Sequence, residues 1–132
     1  MFMEINKCYN ENCLDTMAKM PDNFVDLTVT SPPYDNLRTY NGYSFDFEAV
    51  AKELYRVTKQ GGVVVWNVND STKDGSESGN SFRQALFFKD CGFNLHDTMI
   101  WVKDGSVAQW SSDKFLRPYF QTLADSHRDR NL

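Results

Sequence analysis

Short apolar runs separated by polar turns divide the chain into alternating strand-like and helix-like segments. "INKCYNEN" supplies a short first strand, and "CLDTMAKMPDN" reads as a helix with Leu14, Met17 and Ala18 on one face, stopped by Pro21. After an Asp22-Asn23 turn, "FVDLTVT" is β-branched and apolar, the pattern of a short buried strand. Proline cannot donate to a ladder, so Pro32 and Pro33 end that strand abruptly. Residues 46–59 place Phe47, Val50, Ala51, Leu54 and Thr58 at steps of three and four, one face of an amphipathic helix with Gly61-Gly62 as its stop.

"VVVWNV" follows as a second fully apolar strand. Strand, helix, strand with both strands apolar predicts a parallel crossover unit in a sheet covered on both faces. Residues 69–81 form a polar loop without an apolar period, placed by its position after a strand at the same end of the sheet as the Pro-Pro loop. Phe82, Ala85, Leu86 and Lys89 mark a further helix closed by Cys91-Gly92, and "HDTMIWVK" reads as a third strand. "KFLRPYFQTL" is a last strand interrupted by Pro118, and "ADSHRDRNL" a polar tail.

Composition narrows the function classes. A length of 132 residues fits one domain, and 41% apolar with 24% charged residues describes a chain that folds rather than a disordered one. No stretch reaches the roughly 18 apolar residues of a membrane span, and the N-terminus lacks a basic region followed by an apolar run, so an intracellular chain is expected. Cys8, Cys13 and Cys91 match neither a zinc spacing nor a disulfide framework and read as small buried hydrophobes; no metal is expected. A net charge of −4 means that contact with nucleic acid must come from a local patch rather than from bulk charge.

The candidate chemistry lies at "TSPPY". In open α/β sheets ligands sit outside the carboxyl ends of strands, where Ser31-Pro32-Pro33-Tyr34 falls. Two prolines stiffen the loop, and neither imide nitrogen carries a hydrogen, which leaves the carbonyls of Ser31 and Pro32 as acceptors. A hydroxyl, rigid carbonyls and an aromatic face together hold a planar group bearing an exocyclic NH2, as in a nucleobase amine.

On these residues the chain resembles the amino-methylating (cytosine-N4 or adenine-N6) DNA methyltransferases, which carry a [D/N/S]-P-P-[Y/F/W] tetrapeptide. The wider stretches "YNENCLDTMAKMPDNFVDLTVTSPPYDN", "FEAVAKELYRVTKQGGVVVWNVND" and "HDTMIWVK" follow the family's order over about residues 5–103, in the subclass whose catalytic motif precedes its cofactor motif. The resemblance implies an α/β fold, a partial Rossmann-like methyltransferase sheet, three-layer αβα and mostly parallel. It implies S-adenosylmethionine as methyl donor, DNA as partner, a role in restriction-modification, and a cytoplasmic protein of bacterial, archaeal or phage origin. It assigns catalysis to Ser31, Pro32, Pro33 and Tyr34, cofactor contacts to Asn12, Cys13 and Ser31, and contacts with the flipped base to Tyr34, Asn36, Trp66 and Asn69. For Trp66 to Asn69 the residues themselves favour sheet core over a pocket wall. Ser in the first position leans toward cytosine; adenine is the alternative. A ring-carbon methyltransferase needs an activated cysteine in a Pro-Cys context, and none is present.

The chain departs from the family pattern in two places. Glu11-Asn12 stands where Gly-Asp is usual, and there is no Phe-x-Gly-x-Gly segment. The expectation is a shortened, frameshifted or split methyltransferase in which residues 1–132 form one catalytic half-domain without the Gly-rich cofactor half, inactive alone. In the full family sheet the missing strands sit beside "VDLTVT". Without them, either the first strand moves over to pair with that edge, or a second chain or self-association fills the gap. A non-catalytic remnant is the competing reading, and a protein-glutamine methyltransferase is disfavoured because its tetrapeptide begins with Asn and follows the Gly-rich segment.

Overall fold

In a computed structural model, residues 3–33, 44–101 and 119–125 are described. The elements are α1 (Cys13–Ala18), β1 (Val25–Thr30), α2 (Phe47–Val57), β2 (Thr58–Val68), β3 (Thr72–Lys73), β4 (Ser76–Glu77), α3 (Asn80–Cys91), β5 (Asn94–Trp101) and β6 (Tyr119–Asp125). Four strands form one sheet in the order β1-β2-β6-β5. β1 and β2 pair in parallel, joined through α2 as the strand-helix-strand pattern predicted. β6 is antiparallel to both β2 and β5, so three strands point one way and β6 the other.

The core lies on one side of the sheet. Val64, Trp66 and Val68 of β2 join Met17 of α1, Val50, Ala51, Leu54 and Val57 of α2, and Phe88 of α3 in a single buried cluster. Trp66 is its centre, with ring centroids of Phe88, Phe47 and Phe45 at 5.1, 5.8 and 6.2 Å. Each such aromatic pair contributes roughly 0.5–1.5 kcal/mol beyond its buried area. Indole Nε1 donates to Gln84 Oε1 at 2.9 Å, which satisfies the one polar atom that the core tryptophan brings inside. Trp66 is thus part of the core, and the predicted face of α2 is buried as the periodicity required.

Several expectations are corrected. "INKCYNEN" forms no strand: Asn6 adopts φ 60°, Tyr9 Oη donates to the Glu4 carbonyl, and Lys7 pairs with Glu4, so the segment closes on itself. β1 is half-exposed, with Leu27 at 58% and Val29 at 68% exposure, because these side chains project from the sheet face opposite the one that α1, α2 and α3 cover. Gly61 and Gly62 lie inside β2; α2 ends earlier, where Thr58 turns extended and its hydroxyl donates to the Leu54 carbonyl. Ala18 is exposed, and so are Phe82 and Leu86, because α3 is rotated to bury Ser81 and Phe88. Residues 69–81 contain a small hairpin, β3 to β4, turned by Asp74-Gly75 with φ 52° and 76°. Cys8 and Cys13 are exposed rather than buried, and burial pushes up the thiol pKa of the half-buried Cys91.

All three helices pack on the face that carries Val64, Trp66 and Val68. The second helical layer of a three-layer arrangement is not among the described residues. No described helix is long and apolar enough to cross a membrane, and no group of three or more His, Cys, Asp or Glu among the described residues is placed to hold a metal.

Candidate active site

β1 delivers Ser31-Pro32-Pro33 to the carboxyl end of the sheet. Pro32 is buried, Pro33 half-buried and Ser31 exposed, so the loop is held by its prolines while the serine remains accessible. These three residues line a cavity of about 500 Å³ bounded by α1, β1, α2 and the N-terminal segment. Its floor is apolar, from Met17, Val50, Leu54 and Trp66. Its rim carries Tyr9, Glu11, Cys13 and Thr16 on one side and Phe45 on another.

Glu11 is the charged acceptor of that rim. Lys19 Nζ donates to its Oε1 at 2.6 Å and Thr16 Oγ1 at 2.8 Å. These bonds, that of Lys19 first, hold the Glu11 carboxyl below its ordinary value.

Of the residues singled out from the sequence, Cys13, Ser31, Pro32, Pro33 and Trp66 meet at this one cavity. Asn12 is used otherwise: it is the N-cap of α1, and its Oδ1 accepts from the Leu14 N–H at 3.0 Å. Asn69, half-buried just past β2, does not line the cavity. Tyr34 and Asn36 lie outside the described residues. Sequence reasoning missed Tyr9, Glu11 and Phe45. Glu11 was legible in part, since it adjoins the position where the family pattern carries an acid.

The donor set fits part of S-adenosylmethionine. A carboxylate kept ionised beside an apolar floor suits ribose hydroxyls, a cationic sulfonium and a planar ring. The 132 residues hold no glycine-rich loop to receive the remainder.

Comparison with known proteins gives the family and the fold. Residues 25–124 match the family described as DNA methylase, of the N6/N4 methyltransferase type. The orphan methyltransferase M.BamHII of Bacillus amyloliquefaciens is 75% identical over 80 residues, 61% of this chain and 30% of that protein. The type II methyltransferase M.MthZI of Methanothermobacter thermautotrophicus is 30% identical over 130 residues, 76% of this chain and 36% of that protein. The chain thus spans about a third or less of the length of the curated relatives it matches. Among solved structures, a Thermus thermophilus protein described as a candidate DNA modification methylase, complexed with S-adenosyl-L-methionine, superposes with TM-score 0.65 at 22% identity. The match covers 85% of this chain and 52% of that one. PvuII DNA methyltransferase, cytosine-N4-specific, superposes with TM-score 0.64 at 19% identity over 89% of this chain and 47% of its own. These structural likenesses establish the α/β, Rossmann-like methyltransferase fold. With three-quarters of its length matched by the family profile, the chain belongs to the amino-methylating DNA methyltransferases.

Proposed function

We propose that the chain is the catalytic half of a DNA methyltransferase that methylates the exocyclic amino group of a flipped cytosine, acting in the cytoplasm together with a further stretch of polypeptide. The observation that carries this reading is the stiff Ser31-Pro32-Pro33 loop on the wall of an aromatic and apolar cavity. S-adenosylmethionine supplies the methyl group when bound. Ser31 and the Pro32 carbonyl accept bonds from the amino hydrogens, which keeps the nitrogen lone pair off the ring and directs it outward. Tyr34 stacks on the extruded base. In this reading Glu11 and Cys13, which line the cavity, contact the cofactor. The preference for cytosine over adenine rests on Ser31, since neighbours below 25% identity speak for the fold alone.

The test is methyl transfer to DNA by the chain alone and by the chain co-expressed with the part of M.BamHII outside the shared stretch, with the methylated base identified by mass spectrometry. N4-methylcytosine from the co-expressed pair, reduced by Ser31→Ala, is the expected result. N6-methyladenine overturns the choice of base. Absence of any methylated base from both samples overturns the enzymatic reading in favour of a non-catalytic remnant.

A further inference from the structure

The link from β2 to α3, residues 69–79, is longer than the roughly two to six residues such a connection ordinarily takes, and it spends the excess on the β3–β4 hairpin. No apolar side chain occurs between Asn69 and Ser81, so the hairpin is fastened by polar contacts at its root. The Ser78 N–H donates to the Ser71 carbonyl at 2.8 Å, Ser78 Oγ to the buried Asp70 carboxylate at 3.1 Å, and Arg83 of α3 to the Ser78 carbonyl at 2.8 Å. Beyond that root Lys73, Asp74, Ser76 and Glu77 are exposed. Strand pairing sorts the side chains: Lys73 opposes Ser76 on one face of the ribbon, and Thr72 opposes Glu77 on the other. The charged ends of Lys73 and Glu77 form no ion pair among the described residues. Because β1 and β2 run parallel, with Thr30 beside Trp66, the ribbon rises from the same end of the sheet as the Ser31 loop.

We propose that the β3–β4 hairpin reads base edges in the major groove beside the extruded nucleotide, with Lys73 and Glu77 as the reading side chains. This deepens the function proposed above and rests on its assignment of the Ser31 loop to DNA. Charge chooses base edges over the phosphate backbone. Lys73 is outnumbered by Asp74 and Glu77, so the ribbon gains little from phosphate. A carboxylate, by contrast, accepts from the amino group of cytosine, and an ammonium donates to O6 and N7 of guanine. Shape agrees with charge, since a two-stranded ribbon fits the width of the major groove. The bonds at the root order the backbone before DNA arrives, so that binding has only the exposed side chains left to settle. The Asp74-Gly75 turn closes the ribbon with little bulk at its tip, which leaves Lys73 and Glu77 as the groups that reach furthest from it.

The probe is a pool of DNA duplexes with a randomised central stretch, offered to the tagged full chain, with the bound fraction sequenced. Enrichment of a preferred sequence is expected. Lys73→Ala and Glu77→Gln should each lower the preference at one base pair by about tenfold, while binding to unenriched duplex changes by less than about twofold. Lys89→Ala, exposed near the far end of α3, should leave the preference unaltered. Far-UV circular dichroism and thermal melting confirm that each variant is folded. No enriched sequence, a preference that both hairpin variants retain, or a loss uniform over all duplexes, which marks phosphate contact, each overturns the proposal. A preference set by the hairpin in a chain that methylates no DNA leaves the reading ribbon standing and removes the proposed function. Methylation with a preference indifferent to the hairpin does the reverse.

Discussion

The carboxylate of Asp70, two residues past β2, accepts from the backbone N–H of Ser81 at 2.8 Å and from its hydroxyl at 2.6 Å, in the first turn of α3. Ser78 Oγ adds a third bond at 3.1 Å. Asp70 and Ser81 are both 5% exposed, so these bonds are made away from water. The cap of α3 thus comes from a residue eleven positions back rather than from Gly79 at its N-cap, and it fixes how the helix presents Gln84 and Phe88 to Trp66.

Removing this clamp should destabilise the whole domain. Asp70→Ala is expected to cost about 2–3 kcal/mol, the range for a buried, charge-assisted hydrogen-bond partner, and Ser81→Ala about 1 kcal/mol. Urea unfolding of both variants and of the double variant measures the coupling. A double-variant cost equal to the sum of the two would show that the bonds contribute nothing jointly.

Arg56 ties α2 to the end of α1. Its guanidinium donates to the Met17 and Met20 carbonyls and pairs with Glu53 and Asp22. The Glu53 carboxyl is held below its ordinary value, chiefly by the hydrogen bond from Arg56, and the Arg56 pKa is raised by Glu53 and then Asp22. Because the folded pKa of Glu53 is depressed, its contribution is fully present above the ordinary glutamate value and is lost as pH falls through the folded value. Acid-unfolding curves should therefore decline less steeply in that window for Glu53→Gln, from a lower stability at neutral pH. Arg56→Lys keeps the charge but loses the fork geometry, and should cost about 1–3 kcal/mol.

Gly92 ends α3 with φ 117°, and a Cβ there would lie 2.7 Å from Cζ and Oη of Tyr55. Gly92→Ala combines backbone strain with a steric clash and should cost about 2 kcal/mol or more. The same substitution in Tyr55→Ala relieves the clash but not the strain, so thermal melting of the pair separates the two.

Ser31→Ala touches an exposed position and should leave thermal stability unchanged within about 0.5 kcal/mol. In the complemented enzyme it should lower the methyl-transfer rate about 10- to 100-fold, the value of one or two hydrogen bonds that orient the amine. An unaltered rate would remove Ser31 from the proposed chemistry.

The sequence by itself determined the elements whose pattern is local and strong. The 3.6-residue period of Phe47, Val50, Ala51 and Leu54, the β-branched run of β1 and the proline stop after Ser31 each depend on near neighbours, and each reappears in the fold. Tertiary structure alone decided what depends on which segment lies alongside. An apolar strand reads as buried whether helices cover one of its faces or both, so only the packing of all three helices on the Val64 and Trp66 face revealed that Leu27 and Val29 are exposed. The rotation of α3 was set by partners far along the chain, Asp70 and Trp66, against a period that favoured Phe82 and Leu86. Asn12 and Glu11 were separable only in three dimensions, because one residue's step turns one side chain to the helix cap and the next to the cavity.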